Sequence, residues 1–162
     1  MRALVQRVRA AWVTVDREEA ARIGIGLLVL VGVGRGDGND GARRLAAKVA
    51  GLRIFPDGER PMERDVAAAG GSVLSVSQFT LMADVSRGRR PSFFAAAPAD
   101  DAAPVWETFN RALEAEGLSV GRGTFQADMD VHLVNWGPVT LWVEVPGPSD
   151  RVPGEQKEGS GG

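Results

Sequence analysis

The segment Leu27-Leu-Val-Leu-Val-Gly-Val33 is apolar on both of its faces, and it constrains the fold more than any other stretch. A strand with one wet face alternates apolar and polar residues; a strand that does not alternate is covered on both sides. The chain therefore needs a layer above this strand and a layer below it. Two later segments carry the right pattern for cover. Beyond Gly34-Arg-Gly-Asp-Gly-Asn-Asp40, residues Ala42, Leu45, Ala46, Val49 and Leu52 fall on one helical stripe, with Arg43, Arg44 and Lys48 outside it. Asn39 or Asp40 is the expected N-cap. Pro98 to Gly117 is the second helix, with Val105, Phe109, Ala112 and Leu113 as its buried stripe. Asp100 and Asp101 suit its first turn and Gly117 its end, and Pro104 puts the start of the helix proper near Ala102.

Strands are expected at residues 3–10, 11–16, 22–25, 53–55, 73–81, 124–135 and 139–145, the last two joined through Trp136-Gly137-Pro138. Residues 59–71 have no clear period. The fold class is α/β, with mixed β-sheet layers and two main crossover helices. Residues 1–145 read as one domain. Residues 146–162, dominated by Pro, Gly, Ser and charge, read as a disordered tail.

Composition narrows the function. Cysteine is absent, which excludes disulfides, thiolate catalysis and zinc–thiolate sites. A net charge of −2 is wrong for a protein that coats DNA or RNA in general. Lysine occurs only at Lys48 and Lys157, an arginine bias that base composition explains more simply than phosphate recognition. Met1-Arg-Ala3 leads into no continuous apolar region, and Ile23 to Val33 is too short and glycine-broken to span a bilayer. The expectation is a soluble cytoplasmic chain without a membrane partner. Gly32-x-Gly34-x-Gly36 lacks dinucleotide spacing, Asp37-x-Asn39 lacks the remaining calcium ligands, and Arg35-Gly-Asp37 is adhesive only outside the cell; a strand-to-helix turn accounts for all three.

The chemistry concentrates at Ser75-Val-Ser-Gln-Phe-Thr-Leu81. One face of this expected strand begins apolar at Leu74 and Val76 and turns polar at Gln78 and Thr80, as at a strand end that opens into a cleft. His132 is the only histidine, with Ser77, Thr80, Asp128 and Asp130 as possible partners for a nucleophilic triad. Strand parity puts it on a face with Asp128, Asp130 and Val134, where a structural or surface role competes with catalysis. One histidine with scattered carboxylates makes no metal cluster. Without a side-chain nucleophile, paired backbone amides such as those of Phe79 and Thr80 can still form an oxyanion hole. Gly137-Pro138 interrupts a strand pattern as a hairpin, a bulge or a cis turn. The loop Arg87-Gly-Arg-Arg-Pro-Ser-Phe93 combines cations with an aromatic and suits an RNA end, or is a solvated basic patch.

Taken in order, Met1-Arg-Ala-Leu-Val-Gln-Arg-Val8, Ser77-Gln-Phe-Thr-Leu81, Arg87 to Phe93, Ala127-Asp-Met129 and Asn135-x-Gly-Pro-Val-Thr140 strongly resemble the bacterial type of D-aminoacyl-tRNA deacylase, from residue 1 to about 145. The resemblance implies a homodimeric editing enzyme; no cofactor and no metal are expected. It would cleave the ester between a D-amino acid, or mischarged glycine, and the 3′-terminal adenosine of tRNA. Phe79 and Thr80 N–H groups would hold the oxyanion, and the substrate's ribose 2′-OH would help activate water. Ser77 and Gln78 would shape the pocket, with Met129 near it. Gly137 and Pro138, joined by a cis bond, would reach into the partner subunit and exclude L side chains, braced by Arg7. Ser92 and Phe93 would lie near the terminal adenosine. Trp136, Gln126 and Pro61-Met-Glu63 depart from the family pattern.

Overall fold

The computed structural model describes residues 1–147. The segment 148–162, most of the expected tail, lies outside the described residues. Contacts reach slightly past the expected boundary: Val145 N–H donates to Met1 O, and Arg44 Nη2 donates to the Pro146 carbonyl at 3.2 Å.

The first strand, β1, is continuous from Arg2 to Val15, where two strands were expected. Its left edge changes partner part-way: Arg2 to Val8 pair with β3 (Gly26–Gly32), and Ala11 to Val15 pair with β2 (Glu18–Ile23). Register shifts around Val8 bend it without ending it. The β1–β2 hairpin turns on Asp16 and Arg17 alone, with φ of 50° and 68°. Two left-handed residues in a two-residue loop match the twist of the flanking strands.

Helix α1 (Asn39–Ala50) begins one residue before the expected cap positions allow. Gly38 is the N-cap and makes no side-chain cap bond. The Asn39 carboxamide instead accepts from the Thr108 hydroxyl at 2.9 Å, tying the two helices together. Strands β4 (Phe55–Asp57) and β5 (Arg60–Arg64) form a separate small hairpin, partly from residues without a readable period. Strand β6 (Ser72–Ser77) runs parallel to β3 and stops at Ser77, not at Leu81. Phe79–Met82 is a 3-10 turn.

Helix α2 (Ala99–Ala115) starts earlier than Pro104 led one to expect. The hydrogen bond that proline forgoes would fall on the carbonyl of Asp100, an exposed residue in the first turn, where the loss costs least. The short strand β7 (Val120–Arg122), not expected, adds in parallel to β6. Strand β8 (Asp130–Glu144) is one strand through Gly137-Pro138, paired antiparallel to β1 along its length. Residues 124–129, expected as strand, form a turn, with Gln126 at φ 62° and Ala127 N–H donating to Thr124 O.

The six-stranded mixed sheet runs β2-β1-β3-β6-β7, with β8 on the other edge of β1. One face, carrying Ala3, Val5, Leu27, Val29, Val31 and Val73, is covered by Leu45 and Val49 of α1 and Phe109 and Leu113 of α2. The opposite face of β3 and β6, carrying Leu28, Leu74 and Val76, packs on Val8, Ala11, Val13 and Ile23 from the bent half of β1 and from β2. The doubly apolar strand thus gets its two covers from different sources, helices below and the sheet's own curl above. Both helices sit in connections between parallel strands, α1 on the way from β3 to β6 and α2 from β6 to β7.

Candidate active site

Strand β6 ends beside the turn at residues 124–129, and between them lies a cleft of about 540 Å³. Ser77, Gln78 and Phe79 form one wall; Phe125 to Met129 and Val131 form the other. Ala97, Ala99 and Ala102, around the start of α2, line its base with Val33. These alanines leave room that larger side chains would fill.

The backbone at the cleft mouth has a specific order. Gln78 N–H donates to Val31 O at 2.7 Å, the last bond of the β3–β6 ladder. The chain then enters the 3-10 turn, where Leu81 N–H returns to Gln78 O and Ala83 N–H to Thr80 O. The N–H groups of Phe79 and Thr80 open this turn, and neither has an acceptor among the described residues. First-turn amides lack partners by construction; here two consecutive ones stand at a cleft. The Gln78 carboxamide donates to the Thr80 hydroxyl, which fixes both side chains.

Phe79 is 56% exposed and meets Phe93 edge-to-face at 5.0 Å. Phe93 and Ser92 are held there because Ser92 and Asp84 exchange backbone hydrogen bonds of 2.9 and 2.8 Å. Bonds from Ser86, side chain first and then backbone N–H, keep the Asp84 carboxyl below the usual carboxylate range. Of the expected site residues, Ser77, Gln78, Phe79 and Met129 therefore line the cleft, Thr80 adjoins it, and Ser92 and Phe93 flank its mouth.

Arg7, Gly137 and Pro138 form a second group that does not line the cleft. Gly137 and Pro138 are exposed, their peptide bond is cis, and Gly137 has φ 141°. A Cβ on Gly137 would meet Val139 Cγ2 at 2.7 Å and Arg7 Nη2 at 2.9 Å. Arg7 is 6% exposed and donates to three carbonyls: Trp136 at 2.7 Å, Ile54, and Pro61 at 3.4 Å. Burial, and then the like charge of Arg9, lower its pKa from the ordinary arginine value. Trp136 meets two cations, the Arg7 and Arg9 guanidiniums lying 4.8 and 4.4 Å from its ring centre. Asn135 holds the other side of the bulge. Its Oδ1 accepts from Val139 N–H at 2.7 Å, while its Nδ2 donates to Val139 O and Thr140 Oγ1.

His132 lies opposite Trp12 in the β1–β8 ladder and stacks on it with ring centres 4.9 Å apart and planes 2° from parallel. It does not line the cleft, so a Thr80–His132 pair finds no support in the geometry. Sequence reading missed two contributors, Phe125 in the cleft wall and Trp106, whose indole N–H donates to the buried Ser75 hydroxyl at 2.9 Å; Asp128 and Asn135 were singled out, but not as cleft wall and as clamp. Among the described residues no helix is long and apolar enough to cross a membrane.

The family model for D-Tyr-tRNA(Tyr) deacylase matches residues 4–144. A D-aminoacyl-tRNA deacylase of Thermomicrobium roseum is 54% identical over 144 residues, which is 89% of this chain and 94% of that one. The D-aminoacyl-tRNA deacylase of Deinococcus radiodurans is 54% identical over 145 residues, 90% of this chain and 100% of that one. The solved c-Myc DNA Unwinding Element Binding Protein superposes with a TM-score of 0.85 at 36% identity, covering 91% of this chain and 100% of that one. The family model and these relatives define the class, a hydrolase acting on ester bonds. Within that class the chain belongs to the D-Tyr-tRNA(Tyr) deacylase family.

Proposed function

We propose that this chain hydrolyses the ester joining a D-amino acid, or mischarged glycine, to the 3′-terminal adenosine of tRNA, acting as a homodimer in the cytoplasm where tRNA is charged. The observation that carries the mechanism is the pair of acceptor-free N–H groups on Phe79 and Thr80 at the cleft. Two fixed donors aimed at a developing oxyanion need no reorganisation during reaction, and each is worth roughly 3–4 kcal/mol of barrier. Water attacks the ester carbonyl carbon, and the negative charge develops on the carbonyl oxygen between the two amides. The bond to the ribose 3′-oxygen then breaks, with the neighbouring 2′-OH relaying the proton that water gives up to that leaving oxygen. Such a route asks nothing of His132.

Selection against L-esters falls to Gly137 and Pro138 of a partner subunit. The turn's exposure and its double bracing by Arg7 and Asn135 suit a rigid projection made for another surface. A pocket that must refuse one abundant enantiomer gains more from a built clash than from tighter contacts to the accepted one. Ser77, Gln78 and Met129 bound the aminoacyl space, and Ser92 and Phe93 flank the terminal adenosine.

The deciding experiment incubates the protein with matched D- and L-aminoacyl-tRNA and follows release of amino acid. Release from the D-ester alone is expected. Equal release from both removes the chiral turn, and release from neither removes the enzyme reading.

A further inference from the structure

Next to Phe93 stands a ring that the reading above leaves without work. Phe94 is 79% exposed, more than any other large apolar side chain among the described residues. A single exposed aromatic needs no explanation. Phe94, however, is held by Arg35, which touches its ring, its carbonyl and the residue after it. The Arg35 guanidinium lies 5.1 Å from its ring centre, Arg35 Nε donates to its carbonyl at 2.6 Å, and Arg35 N–H donates to Ala95 O at 2.9 Å. Arg35 itself pairs with no carboxylate among the described residues, nor do Arg87, Arg89 and Arg90 in the adjoining loop.

Contact and chain order set three rings in series. Phe79 lines the cleft, Phe93 meets Phe79 edge-to-face, and Phe94 is the next residue of the chain, with Arg35 against its ring and Arg87, Arg89 and Arg90, without carboxylate partners among the described residues, in the preceding loop. Aromatic steps beside free cations are what an unpaired nucleic-acid strand binds, because every base has a π-face and every link a phosphate.

We infer that Phe94, braced by Arg35, is a stacking platform for the nucleotide immediately before the terminal adenosine of an RNA 3′ end. This rests on the deacylase reading, which already assigns the terminal adenosine to the region of Phe93. The next base along the strand then meets the next ring along the chain. Arg35 holds the platform and offers a positive charge to the linking phosphate.

The test compares two substrates that share the ester but not the strand: D-aminoacyl-tRNA, and a 3′-O-(D-aminoacyl)adenosine that ends where Phe94 begins to matter. The measured quantity is the ratio of kcat/KM for the tRNA to that for the adenosine ester. Phe94→Ala lowers the ratio about tenfold, equivalent to about 1.4 kcal/mol of one stacked base. Phe94→Trp restores it. An uncharged RNA hairpin ending in the tRNA 3′ sequence, with 2-aminopurine before the terminal adenosine, is quenched by the parent protein and not by Phe94→Ala. A ratio unchanged by Phe94→Ala, with both esters still cleaved, removes the platform and leaves the deacylase standing; the same result follows if Phe94 serves a protein partner. If the parent protein cleaves neither ester, the deacylase reading fails and the platform falls with it.

Discussion

Trp106 and Ser75 meet inside the core, the indole N–H donating to the hydroxyl at 2.9 Å across the junction of α2 and β6. Ser75 is fully buried on the strand that delivers Ser77, Gln78 and Phe79 to the cleft. The Trp106 ring also lies 5.8 Å from Phe125, on the opposite cleft wall. One side chain thus touches both the strand that carries one wall and a residue of the other. Trp106→Phe keeps most of the packing but strands a buried hydroxyl, at a cost of about 1–3 kcal/mol. In a double-mutant cycle followed by urea unfolding, adding Ser75→Ala to Trp106→Phe recovers part of that loss.

Thr80 and Phe79 separate a backbone mechanism from a side-chain one. Thr80→Ala keeps the N–H and is expected to retain most of the D-ester hydrolysis. Phe79→Pro deletes one donor and lowers kcat by roughly 10²–10³-fold. Far-UV circular dichroism confirms that each variant is folded. A folded Thr80→Ala protein without activity would make the hydroxyl the nucleophile and end the oxyanion proposal.

At Gly137 the structure leaves no room for a Cβ, and φ of 141° disfavours any other residue. Gly137→Ala is expected to cost about 1–3 kcal/mol in thermal unfolding. By contrast Gly38 has an extended φ of −144° and open space at its Cβ position, so Gly38→Ala stays within about 1 kcal/mol of the parent.

Asn135→Ala removes the clamp on the Gly137-Pro138 bulge while leaving the cleft walls in place. Its expected signature is a smaller ratio of D- to L-aminoacyl-tRNA hydrolysis, through a rise in the L rate. An unchanged ratio would detach chiral selection from this bulge.

His132→Ala is expected to leave D-ester hydrolysis within about threefold, because the ring is stacked on Trp12 away from the cleft. Loss of a general base would instead cost about 10²–10⁴-fold. Single-turnover kinetics distinguish the two outcomes.

Much of the architecture was legible because it follows from local pattern. The two apolar faces of Leu27 to Val31 demanded two covers, and the stripes of Leu45, Val49, Phe109 and Leu113 announced the helices that supply one of them. A break in the core pattern was legible near the end of β6, because polar residues stood where apolar ones should have continued, although the strand was expected to run to Leu81 and stops at Ser77. Its geometry was not, because Phe79 and Leu81 keep a strand's alternation while the backbone coils into a 3-10 turn. Residues 124–129 misled in the same way, since Met129, Val131 and Leu133 alternate but the ladder with β1 begins at Asp130. The continuity of β8 through a proline depends on Asn135, whose side chain replaces ladder bonds, and no periodicity reports that. Trp106 was invisible because an indole in a helical stripe looks the same whether or not its N–H finds a hydroxyl.

Among the described residues strand β8, fifteen residues long, pairs with β1 alone, so its far side presents a row of backbone donors and acceptors. Long free borders of this sort invite fibre growth. Pro138 supplies no donor there, and Gly137 turns the main chain out of line. A stray strand docking on β8 finds two short, misaligned footholds in place of one long one, so the same bulge that shapes the surface also interrupts the margin along which a sheet of this kind would grow.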